Sequence, residues 1–139
     1  MITAVDTSVL LDVFTADREH LDRSRDALRD SIARGRVVVC EVVWAEVSAF
    51  FPDSADARDA LDTVGLYFEP MSVESALGAG MAWAEYRRSG GSRKRVIGDF
   101  LIGAHAIGRA DRLLTRDRGF YRSYFSGLEI LDPSSPLGD

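Results

Sequence analysis

The sequence of 139 residues, 46% hydrophobic and 28% charged, has the size and balance of one compact domain around a single core, with no sign of a second domain. Its net charge of −5 excludes indiscriminate nucleic-acid binding, because a polyanion is repelled by an acidic field, so any such contact must be local. One cysteine, Cys40, excludes an internal disulfide and a thiolate zinc centre; ending the apolar run Val37-Val38-Val39, it reads as a buried small hydrophobe.

The opening Met-Ile-Thr-Ala-Val-Asp reads as neither a signal peptide nor a membrane span, so no membrane association is expected and the cytoplasm is the expected location. Ile2 to Val5 reads as a first strand. The pattern predicts a helix over 17–34, with Leu21, Leu28 and Ile32 on one stripe, Asp30 paired with Arg34 outside it, and Gly35 as its stop. Val37 to Cys40 is a second strand. A helix follows from Glu41 to about Phe51, ended by Pro52, and another from Ala55 to Val64, stopped by Gly65. Leu66 to Phe68 reads as a third strand. Ser72 caps a helix running to about Arg88 despite Gly78 and Gly80, and Gly90-Gly91-Ser92 ends it. After a basic loop come a helix over 97–109, a strand over 112–115, a short helical turn over 119–125 and a last strand over 128–131. Pro and Gly after Leu131 suit a tail fraying into solvent, so the domain is placed at 1–132 and the tail at 133–139. Strands separated by helices of these lengths require crossovers, which predicts a parallel sheet with helices on both faces and a site beyond the carboxyl ends of the strands.

That edge selects the acids. Asp6 directly ends the first strand and Asp117 lies two residues beyond the fourth. Glu46 has only Val42, Val43, Ala49 and Phe50 as helical neighbours, and Asp99 sits in Val96-Ile97-Gly98-Asp99-Phe100-Leu101-Ile102. Carboxylates on apolar helix faces are costly unless paired or bound to a cation. If four converged to about 4 Å, each pair would repel by roughly 4 kcal/mol at an effective dielectric near 20, raising their pKa values or requiring a cation. Without a histidine or cysteine cluster, all-oxygen ligation points to Mg²⁺ or Mn²⁺ and to phosphodiester hydrolysis. Acidic residues fill 22 of 139 positions, so location rather than spacing makes this choice.

Four segments, Val5-Asp6-Thr7-Ser8-Val9-Leu10-Leu11, Trp44-Ala45-Glu46-Val47, Asp99-Phe100-Leu101-Ile102-Gly103-Ala104-His105-Ala106 and Leu113-Leu114-Thr115-Arg116-Asp117-Arg118-Gly119-Phe120, occur in this order over nearly the whole chain. In them the sequence resembles the PIN-domain nucleases, and in particular the VapC-type toxins of toxin–antitoxin pairs. The resemblance implies a three-layer α/β/α fold with a central parallel sheet and an acidic quartet, Asp6, Glu46, Asp99 and Asp117, binding Mg²⁺ or Mn²⁺. It also implies metal-dependent endoribonuclease activity on RNA, a homodimer, and a VapB-like antitoxin whose C-terminal segment covers the groove. Thr115, and Thr7 or Ser8, match the hydroxyl positions that orient carboxylates or metal-bound water.

Each residue has a plainer alternative. Asp6 could simply cap a following helix, and Asp117 could serve a turn. Asp12 and Glu41 read as solvated; Glu41 lies about 140° around the helix from Glu46, so the two cannot face one ion. His105 and His20 receive no role. Trp44, Phe50, Phe51, Trp83 and Tyr86 read as core, some of them bordering an antitoxin groove or dimer face. Arg116, Arg118 and Arg122 either hold phosphates or are charged surface, and Arg87, Arg88, Arg93, Lys94 and Arg95 either touch RNA or form a solvated loop. Among rival functions, a receiver domain would need adjacent acids after the first strand, an aspartyl phosphatase an aspartate where Ser8 stands, and a nucleotide-binding Rossmann domain a glycine-rich turn. A non-catalytic PIN-like RNA- or protein-binding module is the remaining alternative, and retention of all four acids argues against it.

Overall fold

The structure is a computed structural model that describes residues 1–92 and 95–135. Its elements in chain order are β1 (Ile2–Val5), α1 (Thr7–Phe14), α2 (Leu21–Arg34), β2 (Arg36–Val39), α3 (Glu41–Ser48), α4 (Ser54–Val64), β3 (Tyr67–Phe68), α5 (Val73–Arg88), α6 (Ile97–Arg109), β4 (Arg112–Leu114), α7 (Arg118–Tyr124) and β5 (Ile130–Leu131). The strands form one parallel sheet in the order β3-β2-β1-β4-β5, flanked by these helices as the expected three-layer α/β/α fold. A parallel sheet covered on both faces needs apolar residues on both sides of each strand, which is why Val37, Val38 and Val39 are consecutive and all buried.

The order places β1 in the middle. The chain leaves it toward β2 on one side and later returns to lay β4 on the other, so the crevice at a topological switch point opens beyond the carboxyl ends of β1 and β4. Val5 stands in register with Leu114, and the Asp6 amide donates to the Leu114 carbonyl at 2.9 Å. The first and fourth acidic segments are thereby tied together by the sheet itself.

Residues 7–14, raised in the sequence only as a helix that Asp6 could cap and given no bounds there, form α1. Asp6 takes its N-cap and accepts from the Thr7 amide at 2.8 Å. The next helix starts at Leu21 rather than Asp17, because the Asp17 carboxylate turns back to accept from the His20 amide at 3.0 Å and from the ring Nδ1 at 2.8 Å, closing a separate turn. Its buried stripe is Ser24, Ala27, Leu28 and Ser31, not one that includes Ile32, which is exposed. Small residues let α2 lie close against the protein, and Ser31 satisfies its hydroxyl on the Ala27 carbonyl at 2.9 Å. The expected Asp30–Arg34 pair forms at 2.8 Å. Gly35 is required by crowding: a Cβ there would lie 2.0 Å from the Met1 carbonyl oxygen.

The third helix ends at Ser48, before Phe51, and the chain closes two turns (Phe50 amide to Val47 carbonyl and Phe51 amide to Ser48 carbonyl, both 3.1 Å) on its way to Pro52. Strands β3, β4 and β5 are shorter than expected, each keeping only the residues that pair. Between α5, α6 and α7 the core is aromatic: Phe100 meets Tyr86, Phe120 and Tyr124 with ring centroids 5.1 to 5.5 Å apart. Edge-on rings of this kind are worth about 1 kcal/mol per pair beyond area burial. Here they fix the helix start that carries Asp99 and the turn that carries Asp117. Of the expected tail, Pro133 to Ser135 form a turn on Asp132, whose side chain accepts from the Ser134 amide at 2.9 Å; 136–139 lie outside the described residues, as do Arg93 and Lys94.

Candidate active site

A cleft of about 480 Å³ opens at the carboxyl edge of the sheet, lined by Asp6, Thr7, Ser8, Glu46, Asp99, Arg116 and Asp117 with the apolar Leu11 and Ile102. It gathers all four acids predicted from the sequence, from four separate elements and loops. Asp6 is 7% exposed. Loss of water pushes its carboxyl up to about 6, and the charges of Asp99 and Asp117 push the same way, against the hydrogen bonds from Thr115 and Thr7 that favour the ionised form.

Thr115 organises this corner. Fully buried just past β4, its hydroxyl donates to Asp6 Oδ2 at 2.7 Å and accepts from the Asp117 amide at 3.0 Å, so a single oxygen sets the carboxylate of one acid and the backbone of the other. It is absent from the cleft lining, which makes it a positioning residue.

Glu46 differs from the expectation of carboxylates desolvated on apolar helix faces, and Asp99 meets it in part. Glu46 is exposed, its carboxylate held by the Thr7 hydroxyl at 2.7 Å. Asp99 stands half-buried in the first turn of α6, where the helix N-terminus favours a negative charge. Its carboxyl is raised by desolvation and by Glu46 and Asp117, with Arg95 opposing. Arg95 hydrogen-bonds the Asp117 carboxylate, lies 3.9 Å from Asp99 and stacks over the Phe120 ring at 4.2 Å.

The acids ring the cleft rather than collapse on one point: among the described residues no three of them bring their oxygens within 4.8 Å of one another. The trio that does is Asp12, Asp17 and His20. There, however, Asp12 is already taken by Arg116 and Ser24. The quartet's donor set is all oxygen, one acid is buried at a raised pKa, and the Ser8 hydroxyl, which lines the same cleft, is buried with no hydrogen-bond partner among the described residues. These features fit a hard divalent cation that keeps part of its hydration shell.

A family model described as PIN domain matches residues 3–126. The chain belongs to the PIN domain family. No protein of curated function matches it in sequence. In structure this PIN domain is similar to VapBC2 from Rickettsia felis, solved bound to a DNA fragment from the promoter (TM-score 0.72, 20% identity, covering 95% of this chain and 98% of that one). It is also similar to VapBC-1 from nontypeable Haemophilus influenzae (TM-score 0.72, 15% identity, 97% and 100%) and to FitAcB from Neisseria gonorrhoeae (TM-score 0.67, 18% identity, 96% and 98%).

Several residues of the PIN domain stand elsewhere than the sequence suggested. Asp12 is not solvated but buried at 3% exposure, bound by Arg116 at 2.8 and 3.0 Å and by the Ser24 hydroxyl at 2.6 Å. Nothing local marks it, because its partner is 104 residues away in the sequence. Arg116 enters the cleft lining, whereas Arg118 faces Asp132 at 3.8 Å and Arg122 is exposed on α7. Within the basic stretch, Arg88 pairs with Glu85 at 2.6 Å, Arg87 stacks on Trp83, and Arg95 reaches the acids; its role as their counter-charge had no sequence signal beyond lying four residues before Asp99. Glu41 is exposed as expected and accepts from the Met71 amide. His105 is buried, donating from Nε2 to the Glu69 carbonyl, and burial lowers its pKa. Tyr86 is core, but Phe50 is exposed.

Proposed function

We propose that this PIN domain is a divalent-metal-dependent endoribonuclease, the toxin of a VapBC-type toxin–antitoxin pair, with Asp6, Glu46, Asp99 and Asp117 as its metal-holding acids. One observation carries the reading: four acids from distant parts of the chain line a single cleft at the switch point of the sheet, and the innermost is buried with its carboxyl pushed up to about 6. A protein gains nothing in stability from that arrangement, so it is explained by a cation and an anionic substrate. Held by these acids, Mg²⁺ or Mn²⁺ would supply Lewis-acid polarisation of the phosphate and a water of lowered pKa, the chemistry that phosphodiester hydrolysis needs.

The chain's own residues do the positioning. Thr115 and the Thr7 amide aim Asp6, the Thr7 hydroxyl aims Glu46, and Arg95 keeps Asp117 at the rim beside Asp99. Partnership with a VapB-like antitoxin is supported by the VapBC structures among those similar to this chain. A homodimer is supported by the exposed apolar residues Val73, Leu77 and Met81 along α5, a surface that water disfavours. Among the described residues no helix is long and apolar enough to cross a membrane, and action on RNA in the cytoplasm is the reading we adopt.

The test is cleavage of a labelled single-stranded RNA by the purified protein with Mg²⁺, with Mn²⁺ and with EDTA, beside Asp6→Asn and Asp99→Asn. Cleavage only with a divalent ion, lost in both variants, is the expected result. Equal cleavage by all three proteins, or no heat of Mn²⁺ binding by calorimetry, would overturn it.

A further inference from the structure

Beyond the acids, the described lining of the cleft includes one cation, Arg116. Arg116 lines the acidic cleft and equally the adjoining cavity of about 250 Å³, whose other walls include Glu19, His20, Arg23, Ser24 and Pro133. Its guanidinium is not free to swing. Nε and one terminal nitrogen grip the two oxygens of Asp12 at 2.8 and 3.0 Å, and Asp12, itself buried, is steadied by the Ser24 hydroxyl at 2.6 Å. A buried ion pair of this kind does little for stability, since apolar residues of similar volume serve as well. What it does supply is orientation: a planar fork with its remaining N–H groups directed away from Asp12, on a side chain still one-third exposed. In the same cavity Arg23 is exposed and has no ion-pair partner among the described residues, while Asp132 lies 3.8 Å from Arg118 and accepts from Ser134.

We infer that Arg116, clamped by Asp12, binds the RNA phosphate adjacent to the one cleaved, and that the cavity beyond it takes the nucleotide on that side, with Arg23 at its outer edge. Asp12 is a positioning residue in this assignment. The inference rests on the ribonuclease reading: a phosphodiester chain is the ligand that puts a second phosphate next to the one held at the acids, and a fixed guanidinium is the group that recognises it.

The test uses RNA oligonucleotides carrying one uncharged methylphosphonate linkage, placed in turn at each position flanking the cleavage site. With the wild-type protein, one flanking position should raise KM about tenfold with kcat nearly unchanged, the size of one charge-assisted contact. In the double variant Asp12→Asn/Arg116→Gln, which removes both charges of the pair together so that the buried Asp12 is not left unpaired, KM for ordinary RNA rises by a similar factor, the methylphosphonate at that position costs nothing more, and the salt slope of binding falls by about 1. Arg116→Lys, which keeps the charge but loses the fork, is the second variant, with part of the penalty. An undiminished methylphosphonate penalty in both variants, or no sensitive flanking linkage in the wild type, would overturn the inference. Fluorescence anisotropy in EDTA separates it from the activity itself. If the protein cleaves no RNA, the ribonuclease reading falls, and equal affinity for charged and neutral linkages in EDTA then overturns the phosphate contact on its own evidence.

Discussion

Asp6 and Glu46 face the same cleft from opposite surroundings. Asp6 stands at the sheet edge, cut off from water, with its carboxylate held by Thr115 and the Thr7 amide. Glu46 stands on the exposed rim of α3, held by one hydroxyl from α1. The first pays for its placement in desolvation, and the second is placed almost without cost. An acid fixed at the sheet edge is electrostatically strained, whereas an acid on an exposed helix rim is not, and the proposed metal-dependent cleavage would draw on both kinds.

The widest separation between the two should come from Asp6→Asn. A carboxyl raised from 3.8 to about 6 binds its proton more tightly folded than unfolded. The native protein therefore loses stability as pH climbs from about 4 to about 6, by up to about 3 kcal/mol, and regains it on acidification. Asp6→Asn should be more stable than wild type by that order at pH 7.5 and no more stable at pH 3.5, as read by urea denaturation at the two pH values. Mg²⁺ or Mn²⁺ should reduce the difference by binding the wild type alone. An identical pH dependence in the two proteins would mean that Asp6 is not the strained acid.

Much of this contrast was visible in the sequence, though unevenly. Asp6 and Asp117 follow apolar runs whose strand character is plain, and the crossover lengths impose a parallel sheet, so their meeting at one edge followed from topology. The state of Glu46 and Asp99 did not, because the period of a helix gives neighbours along that helix and says nothing of what packs on it. The first helix, visible only as one that Asp6 could cap, stayed without bounds for a related reason: Thr7, Val9 and Val13 are β-branched and weak helix formers, and Asp12 interrupts the apolar stripe at a buried position. Its compensation by Arg116, like the reach of Arg95 to Asp117 across 22 residues, is a long-range pairing that no local pattern carries.

Thr115→Val probes the buried side of the comparison at intermediate size. The change conserves shape but deprives Asp6 of a donor and the Asp117 amide of its acceptor, at a cost of about 2 kcal/mol for buried groups left unpaired. Since that hydrogen bond favours ionised Asp6, its loss should also shift the alkaline rise of the cleavage rate to higher pH than in the wild type. A pH profile with an unmoved midpoint would reduce Thr115 to a packing residue.

Glu46→Gln should show the smallest effect on the fold and so sharpen the contrast most. The side chain is exposed, its one hydrogen bond among the described residues, from Thr7, can be accepted equally by an amide oxygen, and surface changes of this kind stay within about 0.5 kcal/mol. Cleavage, in contrast, should fall steeply, because a neutral amide contributes little to holding a divalent cation against water. Thermal unfolding and cleavage measured on one preparation decide it. Loss of stability comparable with Thr115→Val would place Glu46 in the buried machinery, and full activity would remove it from the site altogether.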